Sequence, residues 1–215
     1  EALLLTHFHS DHIDGMGELM MQRWAGGGRD APLPVIAPEG VELVVDGLNA
    51  AYAADATYRI AHHGEATIIP AGAGGEARPF SIPAGQGELV VYDRDGIRIT
   101  AFPVDHKPIA PAVGYRFDYK GRSVVFSGDT VKLPSIAKAC SGCDLLVHEA
   151  LNAAMVRTME KQFEKAGRKR LAKIMADIQN YHTTPVEAAE TVRGQDGMLF
   201  SLPANKDSIG RDDLL

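Results

Sequence analysis

"THFHSDH", Thr6 to His12, sets three histidines and an aspartate within seven positions, directly after the apolar run EALLL at 1–5. That run reads as a short buried strand, so the cluster stands at a strand end, where side chains are rigidly held. In an extended chain alternate residues share a face, which turns His7, His9 and Asp11 one way and His12 the other. Imidazole nitrogen and carboxylate oxygen are the usual non-sulfur ligands of zinc, at about 2.0–2.2 Å, and one cation cannot comfortably take all four from so short a loop. Two adjacent cations can. Four metal-type ligands so spaced make a far stricter pattern than ordinary surface histidines beside a helix-capping aspartate.

Working outward, further chemistry-bearing residues close apolar runs. His106 lies in FPVDHKP (102–108), and Gly128-Asp129-Thr130 follows SVVFS (123–127). His148 lies in LLVHEA (145–150), and His182 opens HTTPVEAAE (182–190). Together these motifs resemble the metallo-β-lactamase superfamily, whose signature is His-x-His-x-Asp-His. The last two look like paired motifs of the branch that contains ribonuclease Z and related phosphodiesterases and arylsulfatases.

The resemblance implies a single α/β domain over 1–215, a four-layer αββα sandwich, with N-terminal strands expected to precede the sequence given. It implies a first metal on His7, His9 and His106, a second on Asp11 and His12, and Asp129 bridging both. The cofactors are then two divalent ions, Zn2+ first, with Mn2+ and Fe2+ as alternatives. Such a pair brings the pKa of a shared water towards neutrality and neutralises charge building on a phosphoryl or sulfuryl oxygen. Asp11, His148 and His182 are the catalytic candidates, with His148 as the proton donor to the leaving oxygen and His182 assisting or orienting the substrate.

The branch decides the substrate. Class B β-lactamases lack the bridging aspartate that "SGDT" supplies, and flavin-linked di-iron members need a further domain. Thioesterases of the glyoxalase II type set their third histidine in a motif that "PVDHKPIAP" does not match. Ribonuclease Z carries a long tRNA-gripping arm between its third histidine and its bridging aspartate, whereas only 23 positions separate His106 from Asp129. The net charge of −6 also speaks mildly against a general affinity for polyanions. A metal-dependent hydrolase of a small phosphodiester or aryl sulfate ester is therefore expected, with a nucleic acid not favoured. The alternatives are a tRNA-processing endonuclease of ribonuclease Z type and a non-catalytic module.

One departure favours the module. The family's last histidine completes the second metal site, yet the corresponding place reads MLFSLPANKD (198–207), and no histidine follows His182. Either the second metal is weakly held, or a stretch has dropped out between Val192 and Leu202; the second is the preferred expectation.

The remaining features are plainer. A composition of 45% hydrophobic and 23% charged residues is that of an ordinary globular enzyme. No run is long enough to span a bilayer and none at the start resembles a signal peptide; because the N-terminus that would carry a signal is expected to precede the sequence given, the compartment is unknown, with the cytoplasm only as a default, and a homodimer is compatible with the sequence. Cys140 and Cys143 read as core residues beside a helix end at Gly142, since one such pair supplies only half of a structural zinc site. The basic stretch 160–173 reads as a solvated helix face or loop in preference to a phosphate-binding surface. His62 and His63 read as exposed loop histidines. Helices are expected over GELMMQRW, with Leu19, Met20 and Trp24 on one face, and over 40–55, followed by a Gly-rich loop through 61–80. Hairpins are expected at Asp95-Gly96 and Lys120-Gly121.

Overall fold

The computed structural model describes residues 2–192 and, as backbone alone, 198–203. Its contacts divide the chain into two compact units, Glu1–Ser81 and Ile82–Leu215. No helix among the described residues is long and apolar enough to cross a membrane.

The first unit is a three-stranded parallel sheet with helical connections. In chain order it comprises β1 (Leu3–Leu4), α1 (Ser10–Ile13), α2 (Met16–Met21), a π-helical turn (Gln22–Gly26), β2 (Leu33–Pro38), α3 (Val41–His63), a 3-10 turn (Pro70–Gly72) and β3 (Gly75–Phe80). The sheet order is β1-β2-β3, with Leu3 opposite Val35 and Leu33 opposite Gly75. Leu5, Met16, Met20, Leu33, Val35, Ala37, Val41 and Val45 form its core.

Three expectations fail here, each for a local reason. Leu19 is 45% exposed while Met20, Met21 and Trp24 are buried, because the buried stripe runs through Met16, Met20 and Trp24 at intervals of four, and Trp24 packs with Met21 against Ile68. There the indole N–H donates to the Ile69 carbonyl at 2.7 Å. The second helix does not stop at Asp55 but runs to His63, ending where Gly64 takes φ +79. His62 and His63 are exposed, as expected, yet lie in the last helical turn, where basic groups suit the macrodipole. The stretch read as a Gly-rich loop contains β3, whose pairing with β2 supplies what its own sequence lacks.

The second unit is a six-stranded mixed sheet in the order β4-β5-β6-β7-β8-β9. Its strands are β4 (Leu89–Arg94), β5 (Ile97–Pro103), β6 (Val113–Tyr119), β7 (Arg122–Phe126), β8 (Leu145–Ala150) and β9 (Met198–Pro203). Its helices are α4 (Pro134–Ala139), α5 (Ala153–Lys165), α6 (Lys169–Ile178) and α7 (Pro185–Thr191). β4 to β7 pair antiparallel through the two expected hairpins. Asp95 and Gly96 take φ 54 and 77, Lys120 and Gly121 take 50 and 75, and this left-handed pair of residues matches the twist of the strands it joins. β8 and β9 then add in parallel. Cys140 and Cys143, joined to each other, are buried with Phe102, Val125, Ile136 and Leu146 in this unit's core.

β9 carries Ser201 and Leu202, the junction at which a missing stretch was expected, opposite His148 and Glu149. Residues 193–197, the other place expected for it, lie outside the described residues.

Candidate metal centre

The strand ahead of the histidine cluster ends early, and this decides how the cluster is presented. β1 stops at Leu4, the chain stays extended only to His9 (φ −62, ψ 147), and Ser10 opens α1. His7 and His9 therefore keep the alternation expected of an extended chain, whereas Asp11 and His12 sit on a helical turn and leave it. Asp11 is 71% exposed in its side chain and lies 3.6 Å from His12 Nε2. His7 is fully buried; its Nδ1 lies 3.1 Å from Thr6 Oγ1 and its Nε2 3.0 Å from His9 Nδ1.

His106 follows β5 and is 1% exposed. Its Nδ1 lies 3.1 Å from the carbonyl of Tyr181. A carbonyl only accepts, so Nδ1 carries the proton and Nε2 is the basic nitrogen, the arrangement that orients a ligating imidazole. That Nε2 lies 3.9 Å from Asp129 Oδ2. Asp129 owes its place to Gly128, which takes φ +64 just after β7.

Among the described residues, each unit brings metal-type donors together, His7 with His9 in the first and His106 with Asp129 in the second, and these four form the group able to hold a metal, each offering one ligand atom. Two nitrogens on one tetrahedral zinc, each about 2.05 Å from it, stand about 3.3 Å apart, close to the His7–His9 separation. The donor set thus fits a divalent cation; Asp11 and His12 do not belong to the group.

Thr130, Glu149 and Thr183 tie the second unit's part of this centre together. Glu149 Oε1 accepts from the backbone N–H of Thr130 at 3.2 Å and of Thr183 at 2.9 Å, and faces His182 Nδ1 at 3.2 Å. The Thr183 hydroxyl donates to the Thr130 carbonyl, and the Asp105 N–H to the Thr130 hydroxyl. The His182 ring stands 5.2 Å from that of His106. Sequence reading passed over Glu149 and Thr183, whose partners lie up to 53 residues away. Their only advance signal was a position next to His148 and His182.

His148 has a different setting. It is fully buried, its Nδ1 donates to the Glu149 carbonyl at 2.8 Å, and its Nε2 is buried with no hydrogen-bond partner among the described residues. Burial pushes the pKa of this imidazole below its usual value. A ring that resists protonation and does not reach solvent is poorly suited to be the proton donor expected of it.

Residues 1–197 match the family described as the beta-lactamase superfamily domain. Ribonuclease Z of Mycobacterium marinum is 35% identical over 192 residues, covering 88% of this chain and 62% of that protein. Ribonuclease Z of Mycolicibacterium paratuberculosis is 38% identical over 193 residues, covering 88% and 61%. The chain thus spans about three fifths of the length of these relatives. Among solved structures, the short form of human tRNase Z superposes with a TM-score of 0.58 at 18% identity, over 93% of this chain and 71% of the other. The Bacillus subtilis metallo-β-lactamase fold protein YhfI gives 0.57 at 18% identity, over 95% and 66%. At that identity the two structures speak for the fold alone.

The names of the curated relatives overturn the expectation of a small ester in place of a nucleic acid. Both supports of that expectation were weak. Net charge is an average that conceals local patches, and a missing arm removes grip without changing which bond the centre attacks. A domain match over nearly the whole chain, two relatives above 30% identity and this group of ligands agree: the chain belongs to the metallo-β-lactamase superfamily.

Proposed function

We propose that this chain carries the catalytic centre of a metal-dependent phosphodiester hydrolase acting on RNA, with precursor tRNA as the substrate class. The observation that carries the proposal is the His7, His9, His106 and Asp129 group beside the Glu149–His182 pair, and the ribonuclease Z relatives support it. His7, His9, His106 and Asp129 would hold the first ion, and Asp11 and His12, with Asp129 shared, would hold a second. With imidazole and carboxylate donors, Zn2+ fits best and Mn2+ or Fe2+ are alternatives. When bound, the pair supplies positive charge for the phosphoryl oxygens and acidifies water at neutral pH.

The protein's own residues do the rest. As water oxygen bonds to phosphorus, the bond from phosphorus to the leaving ribose oxygen breaks, and that oxygen needs a proton. His182 would give it from Nε2, since Nδ1 faces the Glu149 carboxylate, which holds the ring and offsets its charge whenever it carries both protons. Thr130 and Thr183 fix that carboxylate through backbone N–H groups. With Asp11, His12 and a shared Asp129 as its ligands, the second ion would be held weakly, and activity should rise with added metal.

Cleavage of a precursor tRNA by the purified chain, with and without added Zn2+ or Mn2+, tests the proposal. Metal-dependent scission abolished by His9→Ala is the expected result. Failure to cut any RNA across metals, with the metal bound, would overturn it.

A further inference from the structure

The chain is acidic overall, but one stretch is densely basic. Residues 157–173 hold Arg157, Lys161, Lys165, Arg168, Lys169, Arg170 and Lys173 against only Glu160 and Glu164, within a chain of net charge −6. In the structure this stretch is the distal part of a helical hairpin, α5 and α6, that turns at Ala166–Arg168 with Gly167 at φ +70. Lys161, Lys165, Lys169 and Arg170 are exposed and make no ion pair among the described residues. Arg168 lies over the Phe163 ring at 5.5 Å, which steadies its guanidinium at the turn. Arg168, Lys169 and Arg170 also occupy the first positions of α6, whose first turn has no acidic residue. Cations are disfavoured at that end of a helix, so folding alone does not call for them there.

The base of the hairpin is the catalytic pair. α5 begins four residues after Glu149 and α6 ends four residues before His182, and the Leu151 N–H donates to the Thr183 carbonyl at 2.7 Å across the base. Near the base, the Gln179 amide reaches Arg157 and Glu160 at 3.3 Å each and joins the two helices. Thirteen residues of α5, at about 1.5 Å of rise each, set the basic turn roughly 20 Å from the reactive pair. That span corresponds to on the order of half a dozen phosphates of one strand of a duplex.

We infer that the α5–α6 turn, through Lys165, Arg168, Lys169 and Arg170, is a docking surface for the sugar-phosphate backbone of the RNA whose cleavage is proposed above. Charge complementarity selects a polyanion, and the geometry selects one long enough to reach from the scissile bond to the turn. The surface takes over the grip of the arm that the interval between His106 and Asp129 has no room for, filled as it is by a single hairpin. This inference rests on the proposed RNA substrate.

The test uses the whole chain with Lys165→Ala, Arg168→Ala, Lys169→Ala and Arg170→Ala combined, and a second protein in which each Lys becomes Arg and each Arg becomes Lys. Binding of a fluorescent precursor tRNA is followed by anisotropy from 50 to 200 mM salt, beside hydrolysis of a chromogenic phosphodiester. The alanine protein should bind tRNA at least tenfold more weakly at 50 mM. Its slope of log affinity against log salt should be shallower by about 3, since each phosphate contact adds about 0.7–0.9. Hydrolysis of the small ester should stay within twofold, and the swapped protein should bind as the parent does. Unchanged affinity and slope in the alanine protein, equal loss in the swapped protein, or no tRNA binding by the parent would each overturn the inference. tRNA bound with the expected slope but left uncut would uphold the surface and refute the proposed RNA cleavage.

Discussion

Residues 6–12 and residues 148–184 are both built around histidines and carboxylates, but at different ranges along the chain. In the first, the partners are neighbours: His7 Nε2 meets His9 Nδ1 at 3.0 Å because one extended residue separates them. In the second, Glu149 and His182 meet at 3.2 Å across 33 positions, through a strand end, a helical hairpin and the backbone N–H groups of Thr130 and Thr183. The short-range cluster can be read from its spacing, while the long-range pair exists only once the second unit has folded. The nearer histidine, His148, is the one that sequence reading favoured, and the fold directs it inward.

The largest effect should come from breaking the short-range cluster. Replacing His7 and His9 by Ala removes two nitrogens of the ligand group, so elemental analysis should find the first ion lost and hydrolysis should fall by several orders of magnitude. Undiminished metal content in that double variant would refute the ligand assignment.

The second effect sharpens the contrast between the two histidines of the second region. His182→Ala should lower kcat by about 10²–10⁴ for esters with poor leaving groups, and much less for good ones, because a stable leaving anion needs little protonation. Glu149→Gln should follow the same pattern more mildly, with the metal retained in both. His148→Ala should show no dependence on the leaving group; if it does, the proton donor has been placed on the wrong histidine.

The same contrast between short and long range governs how much of the fold was legible. The hairpins at Asp95-Gly96 and Lys120-Gly121 were readable because two adjacent residues with positive φ define the turn on their own. β3 was not, since Gly75–Phe80 has no strand pattern and becomes a strand by pairing with β2. Leu19 was misplaced because the buried stripe runs through Met16, Met20 and Trp24 at intervals of four, which leaves Leu19 at its solvent edge. At the site, His7, His9, His106 and Asp129 each end or follow a strand and were identified from motifs. Asp11 and His12 were expected as the second ion's ligands; α1 begins at Ser10 and sets them on a helical turn, where the His12 ring stands 4.2 Å from that of His7.

A third, smaller effect concerns stability. His148 enters the core as a neutral ring, with its folded pKa below the unfolded value near 6.5. The unfolded chain therefore binds this proton more readily, and stability is full above about pH 6.5 and lost as pH falls below it, by up to about 1.4 kcal/mol per pH unit. Denaturant titrations of the metal-free chain between pH 7 and 5.5 should show this slope, and His148→Gln should flatten it. An equal slope in the variant would assign the acid sensitivity to other groups.

The smallest effect lies just beyond His182, at the start of α7. Thr184 caps that helix: its hydroxyl accepts from the Glu187 N–H at 3.3 Å, and Glu187 Oε2 accepts from the Thr184 N–H at 2.9 Å. The same carboxylate accepts from the Thr184 hydroxyl at 2.7 Å, and these bonds hold the Glu187 carboxyl below its usual pKa. Thr184→Ala should cost about 1 kcal/mol at neutral pH, the ordinary worth of such a cap. The depressed carboxyl fixes the pH at which the difference fades. Its share is present above the ordinary carboxylate value and is lost as pH falls through the folded pKa, so the difference between parent and variant should narrow below about pH 4.5 to what the hydroxyl's bond from the Glu187 N–H contributes. Because the cap adjoins His182 through Thr183, the variant also asks whether the long-range pair tolerates a looser neighbour. Thr183 is held independently, by its hydroxyl on the Thr130 carbonyl and its N–H on Glu149, so kcat for poor leaving groups should fall by less than about threefold, under 1 kcal/mol of barrier. A loss as large as that of His182→Ala would mean that the cap, and not the Glu149 network, positions the proton donor.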